Sequence, residues 1–79
     1  NPVTTIAYDI PEPTYVEIAI YDLLGRKVRT LVSKEISPGF HSAVWNGKDD
    51  RGRLIASGLF IVRMTSSSFM DVRKMVMLK

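Results

Sequence analysis

The chain has 79 residues, no cysteine and one histidine, and its 11 basic and 8 acidic side chains give a formal charge of +3. That length makes one small domain with limited buried surface for a deep cleft, and an apolar share of 46% belongs to a folded domain rather than a disordered tail. Without a thiol, a clustered His-Asp-Glu set or a base beside any Ser or Thr, the sequence offers no thiolate nucleophile, no zinc site and no triad, so neither enzymatic activity nor a cofactor is expected.

The hydrophobic pattern has a period of two throughout. Ile6, Tyr8 and Ile10 alternate with Ala7 and Asp9, Pro11-Glu12-Pro13 breaks the run, and Val16, Ile18 and Ile20 alternate with Glu17, Ala19 and Tyr21. Asp22-Leu23-Leu24-Gly25 reads as a compact turn, with Gly25 supplying a positive φ, into a strand over 27–32. Ser37-Pro38-Gly39 reverses the chain, after which His41, Ala43 and Trp45 share one strand face. A polar loop over 46–52 precedes a short apolar step at Leu54-Ile55, and Ser57-Gly58 restarts the chain into a strand over 59–65. Ser66-Ser67-Ser68 separates that strand from a last one over 69–78.

Six to seven short strands with no helix predict an all-β fold, a small monomeric antiparallel β-sandwich joined mostly by sequential hairpins, with residues 1–79 as its single domain. The expected core is Ile6, Tyr8, Val16, Ile18, Ile20, Val28, Trp45, Phe60, Val62 and Met64. Leu59 and Ile61 are apolar as well, and Met75-Val76-Met77-Leu78 fits no single face. The last strand is therefore either covered on both sides or an apolar edge.

Charge is unevenly placed. The first 22 residues carry Asp9, Glu12, Glu17 and Asp22 and no base, whereas Arg26, Lys27, Arg29 and Lys34 form a basic patch. Such a patch is an ordinary solvated strand face that can also steer an acidic partner. The bases are dispersed among strand positions with no recognition helix or zinc-finger spacing, so no nucleic-acid partner is expected. No run approaches the roughly 18 apolar residues of a transmembrane segment, and the start is not a basic, apolar leader. Asn1-Pro2 reads as a linker-to-domain junction of a longer parent protein.

Single residues that invite chemistry have simpler readings. His41 is expected to be packed and hydrogen-bonded, and Trp45 to be buried with a partner for its N–H rather than to stack on a sugar. Asn46, Asp49 and Asp50 offer oxygens, but the spacing is not that of an EF-hand, no Glu closes it, and Lys48 and Arg51 oppose a cation; turn chemistry accounts for them without a metal. Gly25, Gly39, Gly47 and Gly58 are widely separated and read as turn makers, not as a phosphate-binding loop.

Taken in order, Asn1-Pro2, Thr4-Thr5-Ile6 with Tyr8, the segment from Val16 through Asp22-Leu23-Leu24-Gly25-Arg26-Lys27-Val28, Gly39-Phe40-His41, Trp45-Asn46-Gly47, Ser57-Gly58-Leu59-Phe60 and Lys74 to Lys79 resemble the C-terminal sorting domains of the type IX secretion system. The resemblance spans essentially the whole chain. It implies an immunoglobulin-like sandwich at the C-terminus of a bacterial cargo protein, exported to the periplasm and then recognised by the outer-membrane translocon and sortase components. The cargo would end up secreted or at the cell surface. The recognition element it implies is Arg73, Lys74, Met75, Val76, Met77, Leu78 and Lys79. The stretch from Trp45 to Gly52, followed by Ala56-Ser57-Gly58, also resembles the immunoglobulin-like domain of flagellar hook-capping proteins. That second resemblance implies a structural accessory or assembly module packing against another domain; the basic-apolar ending at Lys79 favours sorting.

Overall fold

A computed structural model describes residues 3–67 and 69–77. Its elements are β1 (Thr4–Ile10), β2 (Thr14–Tyr21), β3 (Lys27–Ile36), β4 (Gly39–Trp45), β5 (Gly58–Ser66) and β6 (Met70–Met77). All pairings are antiparallel, in a two-stranded sheet β1-β4 and a four-stranded sheet β3-β2-β5-β6. The expected all-β sandwich is thus present, with six strands among the described residues.

Its connections differ from a run of hairpins. Only β2-β3 and β5-β6 are neighbours in both sequence and sheet; the links β1 to β2, β3 to β4 and β4 to β5 pass from one sheet to the other. The reason is local. Pro11 and Pro13 lack the N–H that would continue a ladder, and Pro38 stands before Gly39, whose φ of 123° only glycine adopts readily.

The core between the sheets is built from Ile10, Val16, Ile18, Ile20, Ile36, Trp45, Phe60 and Val62. Trp45 is 0% exposed and meets Phe60 edge to face, with ring centroids 5.4 Å apart at 75°, a favoured aromatic geometry. Its indole N–H donates to the Lys48 carbonyl at 2.9 Å. Ile6, Tyr8, Val28 and Met64, expected in the core, are half-buried and pack around it. Ile10 and Ile36 are core members absent from the expected set, although Ile10 shares the alternation of Ile6 and Tyr8; they sit at strand ends where the chain crosses between sheets, so each is covered from both.

One further expectation is met and two are corrected. His41 is packed and hydrogen-bonded as expected: half-buried, it stacks on Tyr8 at 5.5 Å with its Nε2 2.7 Å from the Ser37 carbonyl. Leu54 and Ile55 make no strand; Leu54 forms a lone bridge with Lys48. Gly58 opens β5 without a positive φ, which belongs instead to Gly25, Gly39, Gly47 and Gly52. The last strand starts at Met70, because Phe69 closes a tight turn, its carbonyl accepting from the Ser66 N–H at 2.9 Å.

Truncating Trp45 to Ala removes the largest fully buried side chain and is expected to cost about 3–5 kcal/mol. Trp45→Phe keeps most of the volume but strands the Lys48 carbonyl, for a smaller loss of about 1–3 kcal/mol. Urea unfolding of the two variants checks this; equal losses would remove the role assigned to the indole N–H.

Candidate interaction surface

β6 lies at one edge of the four-stranded sheet. Its register on β5 sets Ile61 opposite Lys74, Val62 opposite Arg73, Arg63 opposite Val72 and Met64 opposite Asp71. Directly paired residues share a face, and Val62 belongs to the core. Arg73 and Asp71 are therefore on the inner side, while Lys74 and Val72 are on the outer side with Ile61 and Arg63. Arg73 Nε donates to Asp71 Oδ2 at 3.0 Å, at the rim of the sandwich beside Ile6, Tyr8 and Met64. Of the three bases of the expected recognition element, Arg73 and Lys74 thus look in opposite directions. For Met75, Val76 and Met77 the structure gives the backbone pairing with Phe60, Leu59 and Gly58; Leu78 and Lys79 lie outside the described residues.

The outer face of this sheet is mixed rather than polar. Arg63 lies over the Tyr21 ring, 4.6 Å from its centroid, and donates from Nη2 to the Tyr21 hydroxyl at 2.6 Å. Ala19, paired directly with Arg63, is 1% exposed. Tyr15, Leu59, Met70 and Val72 stand exposed around this centre. On the small sheet, Phe40 is 88% exposed and Val44 is exposed with it.

The two edges of the large sheet are treated differently. β3 carries register shifts against β2 beside Ala19 and Tyr21, and the loop after β4 folds over it: the Asp50 N–H donates to the Val28 carbonyl at 3.0 Å, and the Thr30 N–H donates to Asp50 Oδ1 at 3.0 Å. Arg29 reaches the same loop, donating to the Asp49 carbonyl at 3.4 Å. Bulges and covering loops are the usual means of protecting an edge. Among the described residues nothing covers β6 in this way.

That loop holds a feature the sequence displays and the reading above overlooked: Asp22-Leu23-Leu24-Gly25-Arg26 and Asp49-Asp50-Arg51-Gly52-Arg53 are the same turn made twice. In the first, Asp22 Oδ1 accepts from the N–H groups of Leu24 and Arg26, both at 2.9 Å, and Oδ2 accepts from Arg26 Nε at 2.8 Å. In the second, Asp49 Oδ1 accepts from Arg51 and Arg53, both at 2.9 Å, and Oδ2 from Arg53 Nε at 3.2 Å. The backbone bonds repeat too: the glycine N–H returns to the aspartate carbonyl at 3.0 and 2.9 Å, and the aspartate N–H to the arginine carbonyl at 3.0 and 2.9 Å. The carboxylate thus replaces a missing turn of backbone partners, and the positive φ values of Gly25 and Gly52, 85° and 81°, bring the arginine back over it. The oxygens of Asp49 that the sequence offers to a cation are engaged in this way, and Asn46 Oδ1 accepts from the Lys48 N–H.

Hydrogen bonds from the Arg26 and Arg53 backbone N–H groups are the main cause holding the Asp22 and Asp49 carboxyls below the usual carboxylate range, opposed by partial desolvation and helped by the arginine side chains. A carboxyl whose folded value is depressed contributes stability that is complete above its unfolded value and is lost as pH falls through the folded one. The melting temperature is therefore expected to drop on acidification below about pH 4. Thermal melts of Asp22→Asn with Asp49→Asn should show a flatter acid limb; an unchanged limb would assign the acid sensitivity elsewhere. Gly25→Ala, at a φ of 85°, should cost about 1–2 kcal/mol, whereas at Gly58 an added Cβ meets Phe60 at an ordinary 3.8 Å and should change stability by less than about 0.5 kcal/mol. Denaturant melts that rank these two glycines the other way would contradict the turn geometry.

A family model described as FlgD Ig-like domain matches residues 3–68. The solved structure of FlgD from P. aeruginosa is similar in fold, with a TM-score of 0.73 at 20% identity over 95% of this chain. The chain spans 58% of the length of that FlgD chain. No curated protein matches in sequence.

Proposed function

The chain belongs to the FlgD Ig-like domain family, and from that premise we propose that it is a noncatalytic immunoglobulin-like module that packs against another domain of a larger protein. The observation that supports this reading is the unfinished large sheet: β6 is uncovered among the described residues, and Leu59, Met70 and Val72 are exposed on or beside it. A sheet edge and an apolar face together are what a neighbouring domain uses, through backbone hydrogen bonds and side-chain burial respectively. The resemblance to hook-capping proteins points the same way, toward assembly rather than chemistry.

A second reading is the sorting signal of the type IX apparatus, with the parent protein delivered to the surface or the medium. What favours it is the placement of Arg73 and Lys74, both exposed, on the uncovered strand β6. An acidic receptor surface would meet them first.

Fusing the chain with its upstream linker to an inert periplasmic reporter, in a host carrying the type IX apparatus, separates the readings. A folded reporter that stays in the periplasm is the expected result for an assembly module; apparatus-dependent delivery to the surface would overturn it in favour of sorting. Within the parent protein, Leu59→Asp with Val72→Asp should leave the module folded and weaken its contact with the neighbouring domain about tenfold or more. The measurement is association of the separately expressed parts, and unchanged association would rule out this face.

A further inference from the structure

The twin turns line one open groove of about 560 Å³ at the β3 side of the molecule, away from β6. Counting donors against acceptors shows what the groove lacks. Each of Asp22 and Asp49 uses Oδ1 for two backbone N–H groups and Oδ2 for an arginine Nε. Asp50 Oδ1 accepts from the Thr30 N–H and stands 3.8 Å from the Arg29 guanidinium. Both carboxylate oxygens of Asp22 and Asp49 are thus engaged, as is Oδ1 of Asp50. The donors are not: Arg26 and Arg53 engage their own aspartates through Nε, which leaves two terminal nitrogens on each, and their side chains are 74% and 70% exposed. Arg51 adds a further cation to the same wall, as does Lys27, whose Nζ is 3.6 Å from Glu17 Oε2.

An arginine whose Nε is tied to a carboxylate has its guanidinium plane fixed, so the fork formed by its outer nitrogens is already oriented for a second, bidentate acceptor. Two such forks, set by two copies of one turn, form a pre-organised pair. The surroundings specify the acceptor further. Val28 and Ile55 line the groove with these arginines, and Leu23, Leu24 and Leu54, next to its lining in the chain, are 58%, 79% and 53% exposed. Cations lined up with apolar side chains suit a polypeptide that mixes carboxylates with apolar side chains; a phosphate polymer has nothing to set against the apolar part.

We propose that this groove is a docking site for an acidic-apolar peptide segment of a partner protein, whose carboxylates are held by Arg26 and Arg53. The site goes beyond the assembly reading and is independent of what meets β6. The test uses the whole chain and a fluorescein-labelled peptide in which glutamates alternate with leucines, followed by anisotropy at low salt. Arg26→Gln and Arg53→Gln leave each aspartate its backbone donors and so retain the turns, which circular dichroism and melting verify. Each change is expected to weaken binding about tenfold and the pair about a hundredfold. Arg26→Lys, which keeps the charge and loses the fork, should fall well below the wild-type chain. Arg73→Gln with Lys74→Gln on β6 should leave binding unchanged. The site is overturned if the β6 variant weakens binding as much as the groove variants, or if the double groove variant binds as before. The peptide assignment is overturned if polyphosphate or phosphatidylglycerol vesicles bind more tightly than the peptide through the same two arginines.

Discussion

Burying the indole of Trp45 obliges its N–H to find an acceptor inside the protein, since an unmatched donor there is costly, and much of the remaining structure follows from where that acceptor is. It is the Lys48 carbonyl, three residues on. To present it, the chain must turn at once after β4: Gly47 takes a φ of 79°, its carbonyl accepts from the Ile55 N–H at 3.0 Å, and Lys48 bridges to Leu54. The loop so closed is the one that carries the second Asp-x-x-Gly-Arg turn and lays Asp50 along β3. A core contact thereby sets the position of a surface feature, and damage to the core at Trp45 would reach the groove without touching it.

The second organising fact is the mismatch between the sheets. A two-stranded sheet lies against a four-stranded one, so the core is full in the middle and thins toward β6. Ile6, Tyr8 and Met64 are half-buried for that reason, and an ion pair, Asp71 with Arg73, occupies the inner side of β6 where a sandwich of equal sheets would place apolar residues. Exposed pairs of this kind contribute little to stability. The rim is therefore held by the backbone ladder to β5 more than by packing.

Most of the strands were legible because their alternation is clean: Val16, Ile18 and Ile20 could face only one way, and Pro11, Pro13 and Pro38 marked the breaks. Ile10 follows the alternation of Ile6 and Tyr8, but neither its full burial nor that of Ile36 was legible, since a terminal strand residue is covered only by the crossover that follows it, which is a fact of topology. Gly58 was misjudged because a glycine before an apolar run looks the same whether it turns the chain or merely starts a strand. Of the candidate surface, the basic residues of β6 were visible, but their division between two faces depends on the register with β5. The repeated turn was wholly visible as two copies of one spacing. Both copies read as turns, the second after its oxygens are weighed against a metal site, and only the shared bonding shows that they are the same object.

The unequal protection of the two edges of the large sheet gives the module a valency. With β3 covered at Val28 and Thr30 by Asp50 and β6 uncovered among the described residues, that sheet accepts an added strand more readily at one edge than at the other. A sheet open at both edges propagates, which is the geometry of fibres; a sheet with one terminus can only be completed. For copies of this domain, a joint through β6 meets no matching open edge at the covered part of β3.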